Sequence, residues 1–342
     1  MAGAPRTSML ADIGARAAGL FVLSTLLGLV ALVSLALGTA EVDIASVVGA
    51  FTSFDGSTAH LIVTELRVPR TLVGLAVGVA LGLSGTLMQG LTRNPLAEPG
   101  ILGVSAGASL MVVIAIAWFG ISEVSGYVWF ALAGAAAGSA IVYALGSVGR
   151  AGATPIRLVL AGAVLTALLG SITSAILVLD QAALQQFRFW EVGTIAGRDL
   201  GALLTVAPIL AVGVIVGLAS GRQLNALSLG DDVARSLGQP VRLVRALVAG
   251  STILLAGAAV ALAGPIAFVG LAVPHAARML VGADYRWLIA YAVVLGPTLL
   301  LAADIIGRVV GRPGEVQVGI MSALLGVPIF IWLARRSRLA AV

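Results

Sequence analysis

The chain has 342 residues, 60% of them hydrophobic and only 10% charged, with a mean hydropathy of +1.10. A soluble domain carries about 25% charged residues, so this chain cannot cover a water-facing surface and reads as a polytopic membrane protein. All 20 basic residues are arginine and cysteine is absent, which excludes a lysine-dependent phosphate loop, disulfides and thiolate metal sites, so ATP chemistry must come from another chain.

The formal net charge of +5 does not point to nucleic acid, because the arginines stand at the ends of apolar runs, where membrane topology explains them. Spans are predicted at 17–39, 68–91, 100–119, 126–146, 157–179, 200–219, 243–263, 265–281, 287–306 and 315–334. These runs exceed the roughly 10 residues of a barrel strand, so the fold class is all-α with about ten transmembrane helices. Leu243–Leu280 as a single helix would stretch about 57 Å against a bilayer core of roughly 30 Å, and Gly264-Pro265 divides it in two.

The first span follows Arg6 and Arg16 and is longer than a signal-peptide core, so it reads as a retained helix. An even number of spans puts both termini on one side. With both in the cytoplasm, fourteen of the 20 arginines lie inside and six outside, in keeping with the positive-inside rule. The plan is a cytoplasmic tail 1–16, one transmembrane domain 17–334 and a cytoplasmic tail 335–342.

In the second span Gly74, Gly78 and Gly82 share one helix face, as do Gly103 and Gly107 in the third, and such spacing lets helices pack closely. Between these spans lies LTRNPLAEPGILGVSAGASL, 91–110. Asn94-Pro95 and Pro99-Gly100 are breaker pairs, and Glu98 at the bilayer centre would cost about 2.5–3.5 kcal/mol, so the segment is expected to be a cytoplasmic turn. In FRFWEVGTIAGRDL, 187–200, Phe189 and Trp190 read as interfacial anchors.

The loop 221–242, GRQLNALSLGDDVARSLGQPVR, allows a short helix Val233–Leu237, capped by Asp231 or Asp232, ended by Gly238 and blocked from extending by Pro240. Val233 and Leu237 then share a face, which must pack on something: the membrane surface, the chain's own bundle or a partner. Arg67, Arg70, Arg308 and Arg312 lie at outer span ends, where snorkelling to lipid phosphate is the plain reading. Asp304 can pair with Arg308 one turn away, and His275 reads as a packed residue. SGTLMQGLTRNP (84–95) and AGPIAFVGLAVP (263–274) suggest an inverted repeat with an offset of five spans.

RVPRTLVGLAVGVALGLSGTLMQGLTRNPLAEPGILGVSAGASL resembles the signature of the FecCD-type permeases, and so, in order, do VARSLGQPVR, VALAGPIAFVGLAVPHAARML, ADIIGR and GEVQVGIMSALLGVPIFIW. The likeness runs from about Glu65 to Trp332. Members are permease subunits of ABC importers for ferric siderophores, haem and cobalamin. The resemblance implies two permease subunits, identical or paralogous, two cytoplasmic ATPases and an external binding protein, with no cofactor and no enzymatic activity in this chain. It matches Asp232, Val233, Ala234, Arg235, Ser236, Leu237 and Gly238 to the coupling helix that enters the ATPase. It also matches Arg67 and Arg308 to arginines that meet glutamates of the binding protein, which favours docking over snorkelling for these two. RFWEVG is closer to siderophore members than to cobalamin members. The expectation is a ferric-siderophore permease of a bacterial cytoplasmic membrane, with haem or cobalamin as alternatives. A proton-coupled transporter would want ionisable residues deep within spans, and a structural membrane protein would need no coupling helix.

Overall fold

The computed structural model describes residues 12–121, 123–147 and 155–336. Residues 1–11 and 337–342 of the two tails, and Arg150, lie outside them. The chain begins with α1 (Ile13–Ala36), α2 (Ile44–Thr52) and α3 (Thr58–Leu61), and a π-helical turn, Ile62–Arg67, runs into α4 (Val68–Thr92). Then come α5 (Val104–Phe119), α6 (Val124–Ser147), α7 (Pro155–Leu179), α8 (Gln181–Glu191) and α9 (Leu200–Ala219). The rest is α10 (Gly221–Ser228), α11 (Asp231–Ser236), α12 (Val241–Ala263), α13 (Val269–Val281), α14 (Tyr285–Val310) and α15 (Val318–Arg336).

Each predicted span coincides with one of these helices. Among the described residues, seven helices are long and apolar enough to cross a membrane, while α5, α13 and the apolar part of α15 are shorter. The short helices α2 and α10 have no counterpart in the predicted spans.

α4 is the axis of the bundle, with α14, α12 and α13 packed around it. Its glycines set the spacing. A Cβ at Gly78 would overlap the backbone of Pro297, one at Gly82 would come within 2.7 Å of the Ala292 carbonyl oxygen, and one at Gly74 within 2.6 Å of Leu301 Cδ2. Gly85 lies against the backbone of Gly270 in the same way, and Gly107 of α5 meets Gly134 of α6. In lipid, helices associate through such van der Waals contact, since water drives nothing together there.

Two helix pairs, α4–α5 and α12–α13, are each joined through an unwound segment. α4 ends at Thr92, Arg93 adopts the left-handed conformation (φ 51°), a 3-10 turn covers Pro99–Leu102, and α5 starts beyond Gly103. α12 ends at Ala263, Gly264-Pro265 leads an unwound stretch, and α13 starts at Val269. Pro274, which the suggested repeat sets opposite Pro95, lies inside α13, and Pro265 stands at the break itself.

The cytoplasmic-turn expectation also changes. Asn94 makes the turn: its carbonyl accepts from Ala97 N at 3.1 Å and its side chain from Leu96 N at 2.9 Å. Pro95 lies in that turn, but Glu98, Pro99 and Gly100 line a cavity with Leu81, near the middle of the 25-residue α4. A turn at the helix end does not keep the following residues there: the chain doubles back at Asn94–Ala97 and enters the 3-10 turn Pro99–Leu102 inside the bundle, with Pro99 Cδ 3.3 Å from a Cβ position at Gly270.

Gly78→Ala should lower stability by about 1–3 kcal/mol, since the contact atoms are backbone and cannot move aside. Gly170→Ala, with nothing within 4 Å of its Cβ position, should leave it unchanged. Thermal unfolding of the two variants in one detergent checks this.

Candidate functional sites

One end of the bundle is built on the carboxylate of Asp304, which is fully buried. Arg70 of α4 donates to it through Nη2 at 2.7 Å and Arg308 of α14 pairs with it at 2.9 Å. Arg70 also reaches Glu315 at 2.8 Å. The Asp304–Arg308 pair follows from helix spacing; the partner from α4, 234 residues away in sequence, does not.

The remaining donors hold the end of α1. Arg67 donates to the carbonyls of Leu35 (2.8 Å), Ala36 (2.6 Å) and Ala40 (2.7 Å). Arg308 donates to Ser34 O at 3.0 Å, Leu37 O at 2.7 Å and Ser34 Oγ at 2.8 Å, and Arg312 to Gly38 O at 2.8 Å. The last carbonyls of a helix lack partners and carry partial negative charge. α1 has no basic residue in its last turn, so guanidinium groups from elsewhere in the fold take that place. Arg67 and Arg308 are thus only 4% and 2% exposed. They reach the outside through a cavity of about 570 Å³, which Arg70, Arg198, Glu65 and Glu315 also line.

The other end carries α11. It spans Asp231–Ser236, two residues earlier at its start than expected, and Gly230 (φ 113°) stands at its N-cap. Neither aspartate caps it. Asp231 pairs with Arg93 at the end of α4 and, at 2.9 Å, with Arg245 of α12, while Asp232 takes Arg235 at 2.8 Å. Gly238 (φ 77°) closes the helix, with Gln239 N donating to Ala234 O at 3.0 Å. Ala234 is buried, whereas Val233, Leu237 and nearby Leu229 are exposed. Ser236 Oγ turns back to the Val233 carbonyl at 2.8 Å. Beside it, Asn225 of α10 donates to Asp284 at 2.7 Å and accepts from Tyr285 N at 2.8 Å, joining α10 to the start of α14. The Arg286 guanidinium, with Asn225, holds the Asp284 carboxyl at about 2.

Between the ends, Glu98 Oε1 accepts from Phe268 N at 3.2 Å, linking the two unwound segments. The sequence marks both breaks but not their meeting.

Apolar crossings, a charged cavity at one end and a tethered short helix at the other define a polytopic transport permease. The chain belongs to the FecCD transport family, whose profile matches residues 26–336. It is 46% identical over 304 residues to the ferric enterobactin transport system permease protein FepD of Escherichia coli, covering 89% of this chain and 90% of that one. It is 39% identical over 320 residues to the hemin transport system permease protein HmuU of Yersinia pestis, covering 91% and 94%. A solved metal-chelate type ABC transporter in an inward-facing conformation superposes with a TM-score of 0.82 at 29% identity, over 94% of this chain and 99% of that one.

Asp304→Ala would leave Arg70 and Arg308 buried without their shared carboxylate. Stability should fall by about 3–5 kcal/mol, as for other broken buried pairs. The fall is read by thermal unfolding, and protease sensitivity of residues 37–60 should rise as the end of α1 loosens.

Proposed function

We propose that the chain is the membrane subunit of an ABC importer in a bacterial cytoplasmic membrane, forming the path for a ferric siderophore. The supporting observation is α11: six residues long, with Val233 and Leu237 exposed and Asp231 tied to α4 and α12. Such a helix is not stable alone in water, and a rigidly held apolar face suits a groove on another protein. That protein is an ATPase, one copy for each of two permease subunits. Nucleotide-driven closure of the ATPases pushes α11, and the push reaches α4 and α12 through Asp231.

In this reading the seven long helices together with α5, α13 and α15 make ten crossings, with both termini and α11 in the cytoplasm. The broken pairs α4–α5 and α12–α13 are then halves of an inverted repeat. The Arg308 end faces outward and receives the binding protein, an acidic group of which enters the cavity lined by Arg67 and Arg308. Because these arginines also hold α1, reversing their charge would disturb two things at once. Salt dependence of binding to the native chain is the cleaner probe.

The cargo is read as a siderophore because FepD, named for ferric enterobactin, is closer than HmuU, named for hemin. Haem or cobalamin is the second reading. A proton-coupled carrier would use Glu98, and uptake driven by ATP without a proton gradient separates the two mechanisms.

Val233→Arg or Leu237→Asp should insert normally but lose the ATPase on purification and slow uptake at least about tenfold, the effect of spoiling a central interface contact. Native uptake in either variant would show that α11 is only a surface turn.

A further inference from the structure

We infer that Glu98 is a latch between the unwound segments of the pairs α4–α5 and α12–α13, and that this joint opens each time the path opens. Glu98 lies in a cavity of about 150 Å³ with Leu81, Ser105, Val260, Ala267 and Gly270. Leu81 is near the midpoint of α4, so the carboxylate is remote from both ends of a crossing helix. Acids at that depth are costly, and those retained face a bundle interior or a water-filled space and mark function. The turn does not need this one, since Asn94 already makes it.

The carboxylate also leaves its own turn uncapped. Glu98 stands at the N-cap of the 3-10 turn Pro99–Leu102 and makes no cap bond there. It reaches instead to the N–H of Phe268, the N-cap of α13. Unpaired N–H groups and the helix dipole at that end both favour a negative partner.

Phe268 is itself strained. It is a non-glycine residue at φ 69°, a conformation that costs about 1–3 kcal/mol and persists only where the surroundings impose it. Its side chain packs on α15, where a Cβ at Gly326 would lie 2.7 Å from Phe268 Cβ. A half-buried carboxylate and a strained backbone therefore meet at one hydrogen bond, and that bond joins the unwound segment after α4 to the one after α12.

The joint sits where a push from α11 arrives. Asp231 holds Arg93, the residue at which α4 gives way to the Glu98 segment, and Arg245 in the helix that precedes the other break. α4 cannot slide on α14 or α13 where glycine backbones touch. The unwound segments have few backbone bonds of their own, so they change at lower cost. The inference rests on the ABC reading above.

The chain has no cysteine, so an introduced pair is unambiguous. Ser105→Cys with Ala267→Cys, both lining the cavity, should be joined by a short bis-methanethiosulfonate, each thiolate displacing methanesulfinate to give a disulfide that a reductant later cleaves, in vesicles that contain the assembled complex with its ATPase and binding protein. ATP hydrolysis should continue while uptake falls at least about tenfold, and cleaving the link should restore it. Uptake that survives a complete cross-link overturns the latch alone. Absence of ATP-driven uptake in the unlinked complex overturns the ABC reading and the latch with it. In parallel, Glu98→Ala should lower the maximal uptake rate about tenfold with the half-saturating concentration of loaded binding protein unchanged. Glu98→Gln, whose amide oxygen accepts the same bond, should stay within about threefold of native. A Gln variant as slow as the Ala variant, or an Ala variant as fast as native, contradicts a hydrogen-bonded latch. If Glu98→Ala fails to assemble, the cross-link made with native Glu98 decides.

Discussion

Backbone contact along α4 sets the positions of everything around it. Gly78 and Gly82 admit α14 on one side, and Gly85 admits the start of α13 on another. A methyl group at these points would meet main-chain atoms, which have no rotamer to escape into. The consequence is a core with one fixed helix and two neighbours held at the smallest possible separation. Movement is left to the places where the chain is not helical.

At one end of this axis, charge does what glycine does along it. Asp304 joins α4 to α14 through Arg70 and Arg308, and the spare donors of Arg308, with Arg67 and Arg312, gather the carbonyls at the end of α1. α1 is otherwise largely exposed, with Tyr291 of α14 bonding Arg16 O near its start at 2.7 Å. An arginine can thus line a cavity open to a partner and still be fully engaged inside its own chain. At the opposite end, Asp231 gathers arginines from α4 and α12 around a helix whose apolar face is turned outward. The same residue types serve cohesion at both ends.

Much of the fold is legible in the sequence because apolar run length and breaker pairs are local signals. Every predicted span is a helix, and Gly264-Pro265 and Asn94-Pro95 stand where helices stop. Depth is not local. Nothing in NPLAEPG says that Glu98 returns to the level of Leu81, and the cost of a buried acid argued against it until Phe268 N–H supplied the partner. Helix spacing identified Asp304 with Arg308 but could not reveal Arg70. A cap from Asp231 or Asp232 is the expectation because aspartates at helix starts often cap, whereas Gly230 takes that position and both carboxylates turn to arginines. α2 and α10 escaped because they are eight or nine residues long, too short for a crossing signal.

In the proposed mechanism α4 is a rigid axis and the unwound segments are the moving parts. Hydrogen–deuterium exchange of the chain in nanodiscs with its ATPase, with and without a trapped nucleotide, tests this most directly. Exchange should change in 93–103 and 264–268 and stay slow and unaltered through Gly78–Gly85 of α4. A nucleotide-dependent change centred on Gly78–Gly85, with the two unwound segments unaffected, would contradict it.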